Sequence, residues 1–146
     1  MSIIKTNIEG LVIYKNNVIR GKKGSVLQLA HNIEENPQFP GGIKNLIALI
    51  TYRGEMPRGG HYQKKANKDL FNVYGVGLWF LLDMREDSPT EGQYYACVIN
   101  SGAEDIDYSQ FHDLDKFSVQ KDGFLPQIHV PSGVYDLIWL LGNGPL

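Results

Sequence analysis

An all-β fold of short strands, arranged as a sandwich or barrel, is what this sequence predicts, and three observations carry the prediction. Apolar and β-branched runs of strand length recur along the chain. Clusters of Gly, Pro, Asn and Asp separate them, with sixteen glycines and seven prolines among 146 residues to supply the turns. No segment keeps the i, i+3, i+4, i+7 apolar spacing of a helix over three turns.

In order, the first run is Gly10 to Ile19, preceded by the strand-like pattern at Ile3-Ile4-Lys5. The turn Gly21-Lys22-Lys23-Gly24 leads into Ser25 to Ala30, and the next runs are Lys44 to Tyr52 and Leu70 to Met84. Gln93 to Asn100 and Gln127 to Leu141 complete the set, and Asp105 to Asp115 between them has room for one short helical turn. There is no internal repeat, low-complexity tract or linker.

Composition bounds the rest. A chain of 146 residues that is 42% apolar can bury one sizeable core, so a single domain over residues 1–146 is expected. The start, Met1-Ser2-Ile3-Ile4-Lys5, has no apolar stretch of the secretory type. The longest apolar run, Val76 to Leu82, falls well short of the ~18 residues that span a bilayer. A cytoplasmic protein without membrane contact is therefore expected. Cys97 is the sole cysteine, and its flanks Tyr94-Tyr95-Ala96 and Val98-Ile99 are those of a strand, so it reads as a structural thiol. A net charge of −2 gives no electrostatic footprint for nucleic acid. An anionic ligand would have to be held by a local cluster of basic groups.

Two motifs are more specific. Arg58-Gly59-Gly60-His61-Tyr62-Gln63 is followed by Asp83-Met84-Arg85-Glu86-Asp87-Ser88-Pro89-Thr90-Glu91-Gly92. The pair resembles the dTDP-4-dehydrorhamnose 3,5-epimerase-like proteins of the cupin superfamily, whose motifs read Arg-Gly-Leu-His-Tyr/Phe-Gln and Asp-Leu-Arg-x-x-Ser-Pro-Thr-x-Gly. Gly60 and Met84 stand where that family has leucines. Val130-Pro131-Ser132-Gly133-Val134 resembles its later Ile-Pro-x-Gly-Phe turn, which the family continues as Ala-His-Gly-Phe and this chain as Tyr135-Asp136-Leu137-Ile138. The resemblance narrows the fold to the cupin jelly roll, the double-stranded β-helix.

It also implies a chemistry. In a 4-keto-6-deoxy sugar carried on a nucleoside diphosphate, the C4 carbonyl acidifies the neighbouring protons. A neutral imidazole abstracts one if the enolate oxygen is stabilised in a pocket poor in water. By resemblance His61 is the base, Lys68 stabilises the O4 enolate, and Arg58 and Gln63 orient sugar and phosphate. Lys23 falls where the family has an arginine for the diphosphate; it is either that contact or a solvated turn lysine. Tyr52, Tyr62, Tyr74 and Trp139 are candidates for stacking on the ligand, and Trp79 and Phe80 should face opposite sides of one sheet. Asp83, Arg85, Asp87 and Ser88 read as a hairpin closure in which Pro89 presets the turn.

The departures remove parts of the family's equipment. Metal-binding cupins carry His-x-His in the first motif and a third histidine after the second. Here those positions hold His61-x-Gln63 and Asp136, while His31, His112 and His129 lie at unrelated spacings. No metal and no other cofactor is expected, and His129, on an alternating strand, reads as a hydrogen-bonded structural histidine. The relatives also continue into a segment that supplies a tyrosine acid and an aspartate that pairs with the base, whereas this sequence ends at Gly142-Asn143-Gly144-Pro145-Leu146. Tyr135 and Asp136 are the nearby replacements, so exchange at one carbon, or binding without turnover, is expected. A 3,4-ketoisomerase and a non-catalytic sugar-binding cupin are the competing readings. The resemblance further implies a homodimer that covers its edge strands.

Overall fold

The computed structural model describes residues 2–27, 29, 39, 42–43, 45–49, 57–102 and 106–142. Two sheets face each other. The first has the order β1 (Ile3–Lys5), β2 (Val12–Gly21), β9 (Phe124–Val130), β5 (Lys68–Phe71), with β3 (Gly24–Leu27) paired to β2 as a hairpin. The second runs β4 (Arg58–His61), β10 (Val134–Gly142), β6 (Val76–Asp83), β7 (Tyr94–Asn100), β8 (Asp115–Ser118). All neighbours are antiparallel except β7 and β8, which pair in parallel. A one-turn helix, α1 (Val119–Asp122), links β8 to β9, with Ser118 capping its start and Gly123 its end.

Alternation sorts each strand into an inner and an outer face. Ile13 pairs with Ile128, and Val130 lies two residues further along the same face. These meet Trp79, Leu81, Tyr95, Cys97, Ile99 and Val134 of the opposite sheet in one buried cluster. The jelly roll predicted from the motifs is therefore the observed architecture. Trp79 points into this core and Phe80 away from it, where Phe80 stacks on Tyr94 with ring centroids 5.5 Å apart. Burial pushes the Cys97 thiol up to about 12, with Asp115 adding to the shift.

Three predicted runs differ from the structure. Leu70 to Met84 is two strands in different sheets, because Asn72 ends β5 and its amide donates to Gly75 O at 3.0 Å, folding the backbone into a sheet-to-sheet turn. Gln127 to Leu141 likewise divides at Pro131-Ser132-Gly133 into β9 and β10. In the Lys44 to Tyr52 run, residues 45–49 form no strand, and Leu46, Ile47 and Leu49 are exposed: among the described residues they have no ladder partner, and an apolar run without one is not a strand. Lys44 and residues 50–52 of that run, Tyr52 included, lie outside the described residues, as does His31. The helical turn expected between Asp105 and Asp115 is present as a 3-10 turn at Ser109–Phe111.

Candidate functional site

The site is built where two edge strands approach each other. β4 is the edge of the second sheet and β5 the edge of the first. His61 is the register partner of Asp136 on β10, and Arg58 that of Ile138. Asp136 and Ile138 lie on the face that looks into the roll, so imidazole and guanidinium share that face. Lys68 enters from the other side: it pairs with Val130, a core residue, and its Nζ makes an ion pair with Asp136 Oδ1. The Lys68 side chain is 19% exposed and that of Asp136 9%, so the pair is largely out of water. Burial lowers the Lys68 pKa, since desolvation penalises the ammonium.

Getting β4 against β10 depends on two glycines. There is a register irregularity between Asp136 and Leu137, and Gly59 adopts φ +107 there; a Cβ on it would lie 2.9 Å from the carbonyl oxygen of Asp136. Gly60, at φ +88, lies against the Tyr135 hydroxyl, which a Cβ would meet at 2.9 Å. A side chain at position 60 would therefore have to displace the tip of Tyr135. Beyond the strand, Gly133 N–H donates to Gln63 O at 2.8 Å and Ser132 N–H to Asn67 Oδ1 at 3.0 Å, tying the two motif loops together.

The structure thus pairs Lys68 with Asp136 and sets His61 opposite Asp136 and Arg58 opposite Ile138 in the ladder, with Gln63 exposed beyond the strand. It does not gather the others. Tyr135 alternates with Asp136 and so lies on the outward face. Trp139 is on that face too and is 44% exposed. Tyr62 and Tyr74 are exposed. Lys23 lies in the β2–β3 turn, beyond the far end of β2, roughly 30 Å of strand from Lys68 at ~3.3 Å per residue.

Asp83 is buried, and its side chain accepts from Arg85 Nε (2.8 Å), Arg85 Nη2 (2.9 Å), Ser88 Oγ (2.7 Å) and Thr90 Oγ1 (2.7 Å). Arg85 also donates to Glu9 O at 2.7 Å. These residues are engaged with their own hairpin and its neighbour. Sequence reasoning missed a second polar group, on the outward face of the first sheet. Asp69 Oδ1 lies 2.9 Å from His129 Nδ1 and accepts from Gln127 Nε2 at 2.8 Å. Among the described residues no three His, Cys, Asp or Glu side chains are grouped as metal ligands, and no helix is long and apolar enough to cross a membrane.

Two facing sheets of this order define a cupin-type jelly roll. The fold is similar to that of solved dTDP-4-dehydrorhamnose 3,5-epimerases. The rmlC epimerase of Mycobacterium tuberculosis superimposes with a TM-score of 0.68 at 17% identity, over 99% of this chain and 64% of its own. The dTDP-6-deoxy-D-glucose-3,5-epimerase of Legionella pneumophila, solved with dTDP-4-keto-L-rhamnose, gives 0.66 at 18%, over 97% and 66%. The dTDP-4-dehydrorhamnose 3,5-epimerase of Sulfolobus tokodaii gives 0.65 at 21%, over 99% and 72%. This chain spans about two thirds of the length of these structures, and at such identities the shared property is the fold. No protein-family model and no curated protein matches the sequence.

Proposed function

We propose that this protein binds a 4-keto-6-deoxy sugar linked to a nucleoside diphosphate and moves a proton at a carbon next to the ketone, as a sugar-nucleotide epimerase. The observation that carries the reading is the register of β4 on β10, which sets His61 opposite Asp136 and Arg58 opposite Ile138, together with the ion pair that Lys68 of the other sheet makes with Asp136. In this reading His61 takes the proton, the C–H electron pair becomes the new C=C bond, and the carbonyl pair moves onto O4. Lys68 faces that oxygen, and Arg58 with Gln63 holds the sugar and phosphate. Several fold neighbours were solved with dTDP or a dTDP sugar, which supports the ligand class. Lys23, at the far hairpin, reaches a diphosphate only as a neighbouring subunit's residue, in the homodimer that the resemblance implies.

Proton NMR in deuterated water tests this. The protein should introduce deuterium next to C4 of a dTDP-4-keto-6-deoxy sugar, at one carbon. His61→Asn should slow the uptake on the order of 10²–10⁴-fold while leaving dTDP affinity within about tenfold. Uptake undiminished in the variant would move the base elsewhere. No uptake in the parent protein, with dTDP still bound, would leave a non-catalytic binder.

A further inference from the structure

Among the described residues one buried side-chain donor has no hydrogen-bond acceptor: the indole Nε1 of Trp79, a residue 7% exposed in the middle of β6. An N–H taken out of water without an acceptor is costly, and nearly all buried polar groups avoid it. Two positions away on the same face of β6 is Gly77, also buried. A glycine inside a strand weakens it and marks a place where something else comes close to the backbone. Gly77 has no left-handed φ, so its conformation does not call for glycine; the space around it does. A Cβ there would lie 2.9 Å from Asn72 Oδ1, 3.0 Å from Ile138 Cδ1 and 3.3 Å from Trp79 Nε1. The orientation of the Asn72 amide follows from its neighbours. Its Nδ2 donates to Gly75 O at 3.0 Å and has Ile99 O and Ser101 Oγ beside it at 3.4 and 3.3 Å, which turns Oδ1 toward Gly77.

We propose that Trp79 and Asn72 form a buried binding site for one water molecule, which accepts from Trp79 Nε1 and donates to Asn72 Oδ1. A donor and an acceptor face one point from two sides, and their distances to it bring both within reach of a single oxygen at ~2.9 Å from each. The occupant must accept from an N–H and donate to a carbonyl oxygen, and a neutral hydroxylic oxygen does both. An anion has no proton for Oδ1, and an indole N–H, which only donates, offers nothing to a metal cation. The Ile138 methyl and the Gly77 backbone wall the remaining sides, so the molecule is small. Gly77 is what leaves room for it. The water ties the turn that carries the chain from the first sheet to the second, where Asn72 sits, to the core residue Trp79. This site is separate from the candidate catalytic residues. Gly77 is the register partner of Leu140, four residues along β10 from Asp136, whose own partner on β6 is Leu81. It therefore stands or falls independently of the epimerase reading.

The chain has two tryptophans, and Trp139, 44% exposed, supplies a reference signal in the same spectrum. In isotopically labelled protein the Trp79 indole N–H should show water cross-peaks of opposite sign in NOE and ROE spectra, the mark of a long-lived bound water as against proton exchange. The Trp139 indole should not. Relaxation dispersion of the water oxygen should count one long-lived water fewer in Gly77→Ala, whose methyl would take the site, and the Trp79 cross-peaks should disappear with it. Trp79→Phe, which keeps an aromatic ring and removes the donor, should lose the same water and serves if Gly77→Ala does not fold. A crystal structure should place one oxygen within ~3.2 Å of both Nε1 and Oδ1. A Trp79 indole without water cross-peaks, a water count unchanged in the variant that folds, or a crystal structure with Nε1 bonded directly to Asn72 Oδ1 would each overturn the proposal.

Discussion

A single carboxylate, that of Asp83, gathers the β6–β7 hairpin around itself. Arg85 foremost, with Ser88 and Thr90, holds its pKa well below the usual carboxylate range. A depressed acid contributes stability that is present above its unfolded value near pH 4 and is lost as pH falls through that range toward the folded pKa. Asp83→Asn should therefore cost about 3 kcal/mol at pH 7, since it strands a partly buried guanidinium. In urea unfolding the gap between variant and parent should narrow at pH 3; a gap independent of pH would mean that the charge of Asp83 contributes nothing. This cluster was legible in the sequence because its members lie within eight residues of one another. The Lys68–Asp136 and Asp69–His129 pairs were not, since 68 and 60 residues separate the partners and only the strand register brings them together.

Strand β4 carries the candidate base, yet all four of its residues are exposed and, among the described residues, its one ladder is to β10. Gly59 is what lets that ladder close. An alanine there would meet the backbone oxygen of Asp136, which has no freedom to yield, in a conformation that costs on the order of 1–3 kcal/mol for a residue with a side chain. At Gly60 the obstacle is the tip of a tyrosine, which can rotate away. Gly59→Ala should thus detach β4, with faster amide exchange at residues 58–61, lost deuterium uptake and a global melting temperature within a few degrees of the parent. A large drop in melting temperature would show β4 to be part of the cooperative core. Element type was readable from alternation and turn residues. The division of Leu70 to Met84 was not, because the apolar pattern continues across the Asn72–Gly75 turn and it is the buried Asn72 amide that bends the chain.

For the molecule as a whole, Cys97 is a built-in reporter. It is fully buried between Trp79 and Asp115 on neighbouring strands, with its thiol held well above the normal range. Alkylation at pH 8 should be undetectable in native protein and should appear with the global unfolding transition in urea. Labelling before that transition would reveal partial opening of β7 and β8. The fold was legible at this scale from two short motifs, because the turns they encode occur at fixed places in a jelly roll. Which side chains look inward was not, since that depends on register and on the irregularity between Asp136 and Leu137.

The pairing of β4 with β10 joins segments about 75 residues apart, whereas β6 and β7 are joined by a short hairpin. Closing the longer loop costs roughly 1–2 kcal/mol more chain entropy, and that entropy is spent before any contact repays it. The chain must be synthesised through residue 136 before Asp136 can meet His61 or Lys68. On a ribosome, the β6–β7 hairpin carrying Trp79 and Leu81 is complete while His61 and Lys68 still lack Asp136, so every nascent chain passes through a stage with part of its core and no assembled candidate site.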